Sequence, residues 1–116
     1  MLDKLQRLIL LNDFYGVLLT ERQQEVMRLY YEEDLTLSEV AEMMSVTRQA
    51  VFDLIKRTEK ILEEYESKLG LVDRFLRARE KMCEAYRLLT ETGCQEKKVT
   101  KAREILKELL EQEGLG

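Results

Sequence analysis

Two threonines organise the middle of this chain. Thr36 stands just ahead of Leu37-Ser38-Glu39-Val40, and Thr47 just ahead of Arg48-Gln49-Ala50-Val51. A threonine so placed accepts a hydrogen bond from a backbone N–H one turn further on and starts a helix. Val40, Ala41, Met44, Val46, Val51 and Leu54 then fall where the two helices must touch. Ala41 is small where they cross, and Val46 plugs the turn. The stretch TLSEVAEMMSVTRQAVFDLIKR, residues 36–57, therefore reads as a helix-turn-helix. Ser45 occupies the turn position where glycine is usual, and serine enters that backbone region less readily. Such units read DNA, bind RNA or dock proteins, so the motif constrains fold more tightly than function.

The flanking sequence continues the helical pattern. Of 116 residues, 45% are apolar, 36% are charged and none is proline, which suits a well-packed helical domain with at most a small appendage. Leu5, Leu8, Leu11, Tyr15 and Leu18 form one stripe of a first helix over about Leu2 to Leu18. Thr20 with Gln23 matches a capping box, opening a second helix to Tyr31 that buries Val26, Leu29 and Tyr30. Glu32, Glu33 and Asp34 oppose the negative end of that helix and predict a break. Thr36 with Glu39 caps a third helix, Leu37 to Met44. A long fourth helix follows from Thr47, with Val51, Leu54, Thr58, Ile61, Tyr65 and Leu69 on its seam and Gly70 as its stop. Its second half is expected to pack on the first helix or on a partner subunit.

Beyond Gly70 a helical hairpin is expected. Leu71, Phe75, Ala78, Met82, Ala85 and Leu89 form a coiled-coil-like seam, residues 91–95 break it, and Val99, Ala102, Ile105, Leu106, Leu109 and Leu110 line a last helix before a frayed tail, Glu113 to Gly116. The fold class is thus all-α. A wingless helix-turn-helix domain, residues 1–70, precedes a hairpin, residues 71–116, whose apolar stripes either complete the monomer core or, as their extent favours, form a homodimer interface.

Several chemistries are excluded. There is no histidine, so imidazole catalysis and mixed Cys/His zinc sites are absent. Cys83 reads as a small buried apolar residue and Cys94 as an exposed loop thiol, with a disulfide between them disfavoured in a reducing cytosol. Glu63, Glu64 and Glu66 read as a solvated helix face. No nucleophile motif, glycine-rich phosphate loop or metal-ligand spacing is present, so a non-enzyme without cofactor or metal is expected. Apolar runs are too short to span a membrane, and the amphipathic N-terminus does not resemble a signal peptide, which points to the cytoplasm.

The formal net charge is −4, which argues against indiscriminate nucleic-acid binding. Its distribution is uneven. Residues 21–44 carry seven acids against two bases, whereas residues 47–60 carry four bases against two acids. In a helix-turn-helix the N-terminal part of the second helix enters the major groove. Thr47, Arg48, Gln49, Phe52, Asp53, Lys56 and Arg57 point away from the core. Arg48 and Gln49 suit guanine and adenine edges, while Lys56 and Arg57 suit phosphates. Thr36 and Ser38 can add a phosphate contact at the preceding helix start. Each has a plainer alternative. Arg48 can pair with Glu42 or Glu39, Lys56 with Asp53, and Lys60 with Glu64. Phe52 can stack on an unpaired RNA base, meet a thymine methyl, fill a protein pocket or join the core.

From Asn12 to Leu69 the chain resembles the YlxM family. The matching segments are DFYGVLLT (13–20), LYYEEDLTLSEVAE (29–42) and VTRQAVFDLIKRTEKILEEYESKL (46–69). The resemblance implies an all-helical protein with a helix-turn-helix like that of sigma-factor region four. It also implies a gene setting beside Ffh, the GTPase of the signal recognition particle, and a regulatory role in protein targeting. Two functions follow as expectations. One is a nucleic-acid-binding regulator whose target is DNA or the particle's RNA. The alternative is an adaptor that docks on the GTPase through the acidic Glu32, Glu33 and Asp34.

Overall fold

The computed structural model describes residues 2–112, and every regular element among them is helical. Asp3 opens α1 (Lys4–Tyr15). Its carboxylate accepts the Gln6 N–H, and the Gln6 side chain accepts the Asp3 N–H in return. Thr20 and Gln23 make the same reciprocal pair at α2 (Glu21–Met27), and Thr36 and Glu39 make it at α3 (Leu37–Met44). The Thr36 N–H holds the Glu39 carboxyl below the usual carboxylate range. Thr47 caps the long α4 (Arg48–Leu69) by accepting the Ala50 N–H at 3.0 Å. Ser45 sits in the left-handed region at φ 58°, so serine does take the glycine conformation in the turn.

Two ends differ from the sequence expectation. The first helix stops at Tyr15, and Gly16–Leu18 form one 3-10 turn. That change of winding takes Leu18 out of the stripe, and Leu5 near the other end is 51% exposed, so the buried set is Leu8, Leu10, Leu11 and Tyr15. The second helix widens at its end into a π turn, Arg28–Glu32, closed by the Glu33 N–H donating to the Arg28 carbonyl. Tyr30 is only half-buried there. Asp34 follows at φ 56°, a region aspartate tolerates better than most side chains.

α4 is the centre of the first unit. Its deeply buried residues are Val51, Ile55, Thr58 and Leu62. The seam predicted through Leu54, Ile61 and Tyr65 is therefore rotated. Those three are half-buried, and Leu69 is 45% exposed. The reason is that α1, α2 and α3 all pack on α4, so the contact face is broader than a two-helix seam and centres one position later. Thr58 is fully buried, and its hydroxyl donates to the Leu54 carbonyl. The second half of α4 meets α1. Arg7 forks onto Glu63 at 2.7 and 2.8 Å, holding that carboxyl below its ordinary range, and the Tyr15 and Tyr65 rings lie 5.9 Å apart. The carboxylates read from sequence as a solvated face are thus divided: Glu64 is exposed, but Glu63 and Glu66 are tied to α1.

Tyr15 closes this unit. It is fully buried, donates its hydroxyl hydrogen to Glu66 at 2.6 Å and accepts the Leu71 N–H at 3.1 Å. Glu66 also accepts the Val72 N–H at 3.0 Å. The two leading N–H groups after the left-handed Gly70 (φ 63°) are thereby satisfied. Burial, reinforced by the Glu66 carboxylate, raises the Tyr15 phenol above its ordinary value.

The chain divides into two compact units, Met1–Val72 and Asp73–Gly116. The remaining helices are α5 (Leu71–Glu91) and α6 (Lys97–Gln112). Phe75, Met82, Ala85 and Leu89 are half-buried as the seam predicts. Ala78 is exposed, and Leu76, Cys83 and Tyr86 take up the adjoining positions. On α6, Leu110 is buried, while Ile105 and Leu109 are 48% and 40% exposed. Both cysteines are half-buried free thiols, so Cys83 is less buried and Cys94 less exposed than their sequence contexts suggested. The tail from Glu113 to Gly116 lies outside the described residues.

Two outcomes follow. Ser45→Gly relieves a left-handed serine and should raise unfolding stability by about 0.5–1 kcal/mol, the relief being partly offset by the freer unfolded chain; urea denaturation at neutral pH measures it. Tyr15→Phe removes the donor to a part-buried carboxylate and should cost about 1–3 kcal/mol. Because folding raises the phenol's pKa, the wild-type contribution is complete below the ordinary tyrosine pKa and disappears as pH climbs through the folded-state value. Stability should therefore fall more steeply above pH ~10 in the wild type than in Tyr15→Phe.

Candidate nucleic-acid interface

The start of α4 is presented to solvent because its other face is committed to the core. Val51 and Ile55 point inward, so Thr47, Arg48, Gln49, Phe52, Asp53, Lys56 and Arg57 are all exposed. The pairings differ from the alternatives offered by sequence. Arg48 and Arg57 have no ion-pair partner among the described residues, and Glu39 is occupied with its cap. The Gln49 amide donates to Asp53 at 3.0 Å. Lys56 lies 3.6 Å from Glu59 rather than on Asp53, and its ammonium sits 5.5 Å from the centroid of the Phe52 ring. Phe52 is 42% exposed and so is not a core residue.

Two adjoining clefts run beside this helix within the first unit. The wider, of about 590 Å³, is bordered by Thr36, Ser38 and Arg48 on one side and by Tyr30, Tyr31 and Asp34 on the other. The narrower, of about 330 Å³, is bordered by Phe52, Ile55 and Lys56 and by Lys4 and Leu8 of α1. Leu5, Tyr30, Tyr31 and Leu37 belong to both, so they form the shared wall. The structure thus gathers five of the sequence candidates at two neighbouring clefts, Thr36, Ser38 and Arg48 at the wider and Phe52 and Lys56 at the narrower. Thr47, Gln49 and Arg57 stand outside them on the exposed surface of α4. The Thr36 hydroxyl accepts the Glu39 N–H, while Ser38 is exposed at the cleft rim.

Sequence reasoning missed the aromatic wall. Tyr30 was placed in the core as one step of a helical stripe, and Tyr31 was not singled out. The π turn explains both. A wider turn brings consecutive side chains closer in azimuth than an α-helix does. Tyr30 and Tyr31 pack edge to face, with centroids 4.9 Å apart. Tyr31 also donates its hydroxyl hydrogen to Glu59 at 2.6 Å, and burial with that carboxylate raises its phenol well above the ordinary value. Glu59 therefore receives Tyr31 from one side and Lys56 from the other. The acidic candidates nearby are split: Glu32 and Asp34 are exposed, while Glu33 pairs with Arg28 at 2.7 Å.

Comparison with known proteins decides the family. Residues 2–108 match the model of UPF0122, described as "Putative helix-turn-helix protein, YlxM / p13 like". The chain belongs to the UPF0122 family. A UPF0122 protein of Desulforamulus reducens is 47% identical over 112 residues, covering 95% of this chain and 96% of that one. One from Bacillus mycoides is 50% identical over 91 residues, covering 78% and 83% respectively. One from Halalkalibacterium halodurans is 57% identical over 75 residues, covering 65% and 69%. The UPF0122 match extends past Leu69 into α6, further than the segments that carried the resemblance. No helix among the described residues is long and apolar enough to cross a membrane.

The network at Glu59 gives one expectation. Tyr31→Phe leaves a mostly covered carboxylate with only a lysine at 3.6 Å and should cost about 1–2 kcal/mol in a urea titration, with helical content retained.

Proposed function

We propose that this UPF0122 protein is a nucleic-acid-binding regulator in the signal recognition particle pathway, working in the cytoplasm with the particle's RNA as target. The observation that carries the nucleic-acid reading is the exposure of Arg48 and Arg57 on a capped recognition helix, with no ion-pair partner among the described residues. A guanidinium with no protein partner is free to fork onto a phosphate or a guanine edge. Gln49 is only weakly committed, since an exposed hydrogen bond to Asp53 is readily exchanged for a base edge. Phe52 and the aromatic wall favour RNA, whose unpaired bases stack on aromatic rings, over a smooth DNA duplex. The pathway assignment rests on the family resemblance through residues 13–20, 29–42 and 46–69.

The test is fluorescence anisotropy of the protein against signal recognition particle RNA and against duplex DNA across a salt series. The double substitution Arg48→Ala with Arg57→Ala should weaken binding by roughly tenfold or more and lower the salt slope by about two, with the circular dichroism spectrum unchanged. Equal affinity and slope in the folded double variant would remove the nucleic-acid reading. Attention would then pass to the adaptor alternative, in which Glu32, Glu33 and Asp34 of this chain form an acidic dock for the targeting GTPase. Reversing the three charges should slow that association.

A further inference from the structure

We infer that the depression beside α4 holds one unpaired nucleobase, swung out of an RNA stem and stacked on Phe52 against the Tyr30–Tyr31 wall. The inference rests on the nucleic-acid reading above and specifies what the helix-turn-helix surface would accept.

Four observations converge on a flat, uncharged heteroaromatic occupant bearing a phosphate. First, the wall is aromatic. Phe52 is 42% exposed on an otherwise polar helix face, and Tyr30 and Tyr31 form an edge-to-face pair across the same depression. An exposed phenylalanine costs solvation, and base stacking is the interaction by which such rings hold nucleic acid without reading a duplex. Second, the size is appropriate: about 330 and 590 Å³ fall within the roughly 300–1,000 Å³ range of pockets that take small organic groups. Third, cations stand at both ends. Arg48 lines the wider cleft, and Lys4 lines the narrower beside Lys56, which also pairs with Glu59, so a cation is at hand for a backbone phosphate at each. Fourth, the wider cleft offers varied hydrogen-bonding groups, while the narrower adds only the charged Lys4, Lys56 and Glu59 to its apolar lining. Ser38, Asp34 and Arg48 present a hydroxyl, an acceptor and a fork of donors toward the edges of a ring lying on the apolar wall.

Charge complementarity also separates this occupant from an apolar helix of a protein partner. Such a helix would fill the apolar part but would leave Arg48 and Lys4 facing carbon. A nucleotide satisfies ring and cation together. Gln49 and Arg57 are exposed on the same helix that lends Arg48, Phe52 and Lys56 to the clefts, so one RNA stem can lie along α4 while a single nucleotide enters.

The experiment uses the full chain and an RNA hairpin carrying one bulged adenosine, with a second hairpin that is abasic at that position and otherwise identical. Anisotropy at low salt should show the wild type binding the bulged base roughly 5- to 100-fold more tightly than the abasic form. In Phe52→Leu, and separately in Tyr30→Leu, that ratio should fall toward one, which isolates the base-to-ring coupling as a double-mutant cycle does. Equal wild-type affinity for the two hairpins overturns the base pocket, and the nucleic-acid reading survives if both are still bound through Arg48 and Arg57. A base preference that persists in both folded variants also overturns it, because the base then sits elsewhere. Binding to neither hairpin, with signal recognition particle RNA still bound, overturns the pocket alone. Binding to no RNA at all overturns pocket and parent reading together.

Discussion

One buried stripe of α4 sustains the first unit. Val51, Ile55, Thr58 and Leu62 contact solvent hardly at all, and three other helices rest on them. Each full-sized apolar side chain buried there contributes about 1.5–3 kcal/mol, whereas an exposed ion pair contributes about 0–1 kcal/mol. The stripe therefore sets where the helices lie, and pairs such as Arg7 with Glu63 adjust the fit. The same commitment also fixes which α4 residues remain outside. Arg48, Gln49, Phe52 and Arg57 are available because their neighbours on the helix are not.

The electrostatics of the site come from relief as much as from attraction. The acidic stretch ahead of α3 is partly compensated through Arg28 with Glu33, and Glu39 within α3 is committed to the cap. Glu59, the carboxylate nearest the aromatic wall, is held by Tyr31 and Lys56. Residues 47–60 carry Arg48, Lys56, Arg57 and Lys60 against Asp53 and Glu59, a local excess of two positive charges on a chain of net charge −4.

What could be read from the sequence was whatever depends on neighbours a few positions apart. Thr20, Thr36 and Thr47 cap their helices, Ser45 takes the left-handed turn and Gly70 ends α4, all from local backbone chemistry. The outward set from Thr47 to Arg57 was equally legible, since one motif fixes its helical phase. The failures came where several helices meet. Leu5 and Leu18 lie on the stripe of α1 by spacing but not by contact, because the chain changes winding at Gly16. Ile55 and Leu62 outrank Leu54 and Ile61 because three partners broaden the buried face of α4. Glu66 looked solvated because its partners, Tyr15 and the Val72 N–H, come from a distant helix and from beyond the end of α4. The aromatic wall was invisible for a related reason: no residue type announces a π turn.

That turn carries a consequence for how the chain can vary in length. A π turn holds one residue more than an α-helix fits into the same rise. Arg28–Glu32 is in effect a helix with a surplus residue, retained between α2 and the loop. Removing one position here would let α2 continue in ordinary α winding, in which successive side chains stand about 100° apart, while the chain beyond the turn keeps its phase. Val26 and Met27 would keep their places in the core, while the close edge-to-face pairing of the aromatic wall would be lost. Length in this short segment, more than the identity of any single residue in it, decides whether the depression beside α4 has a second wall.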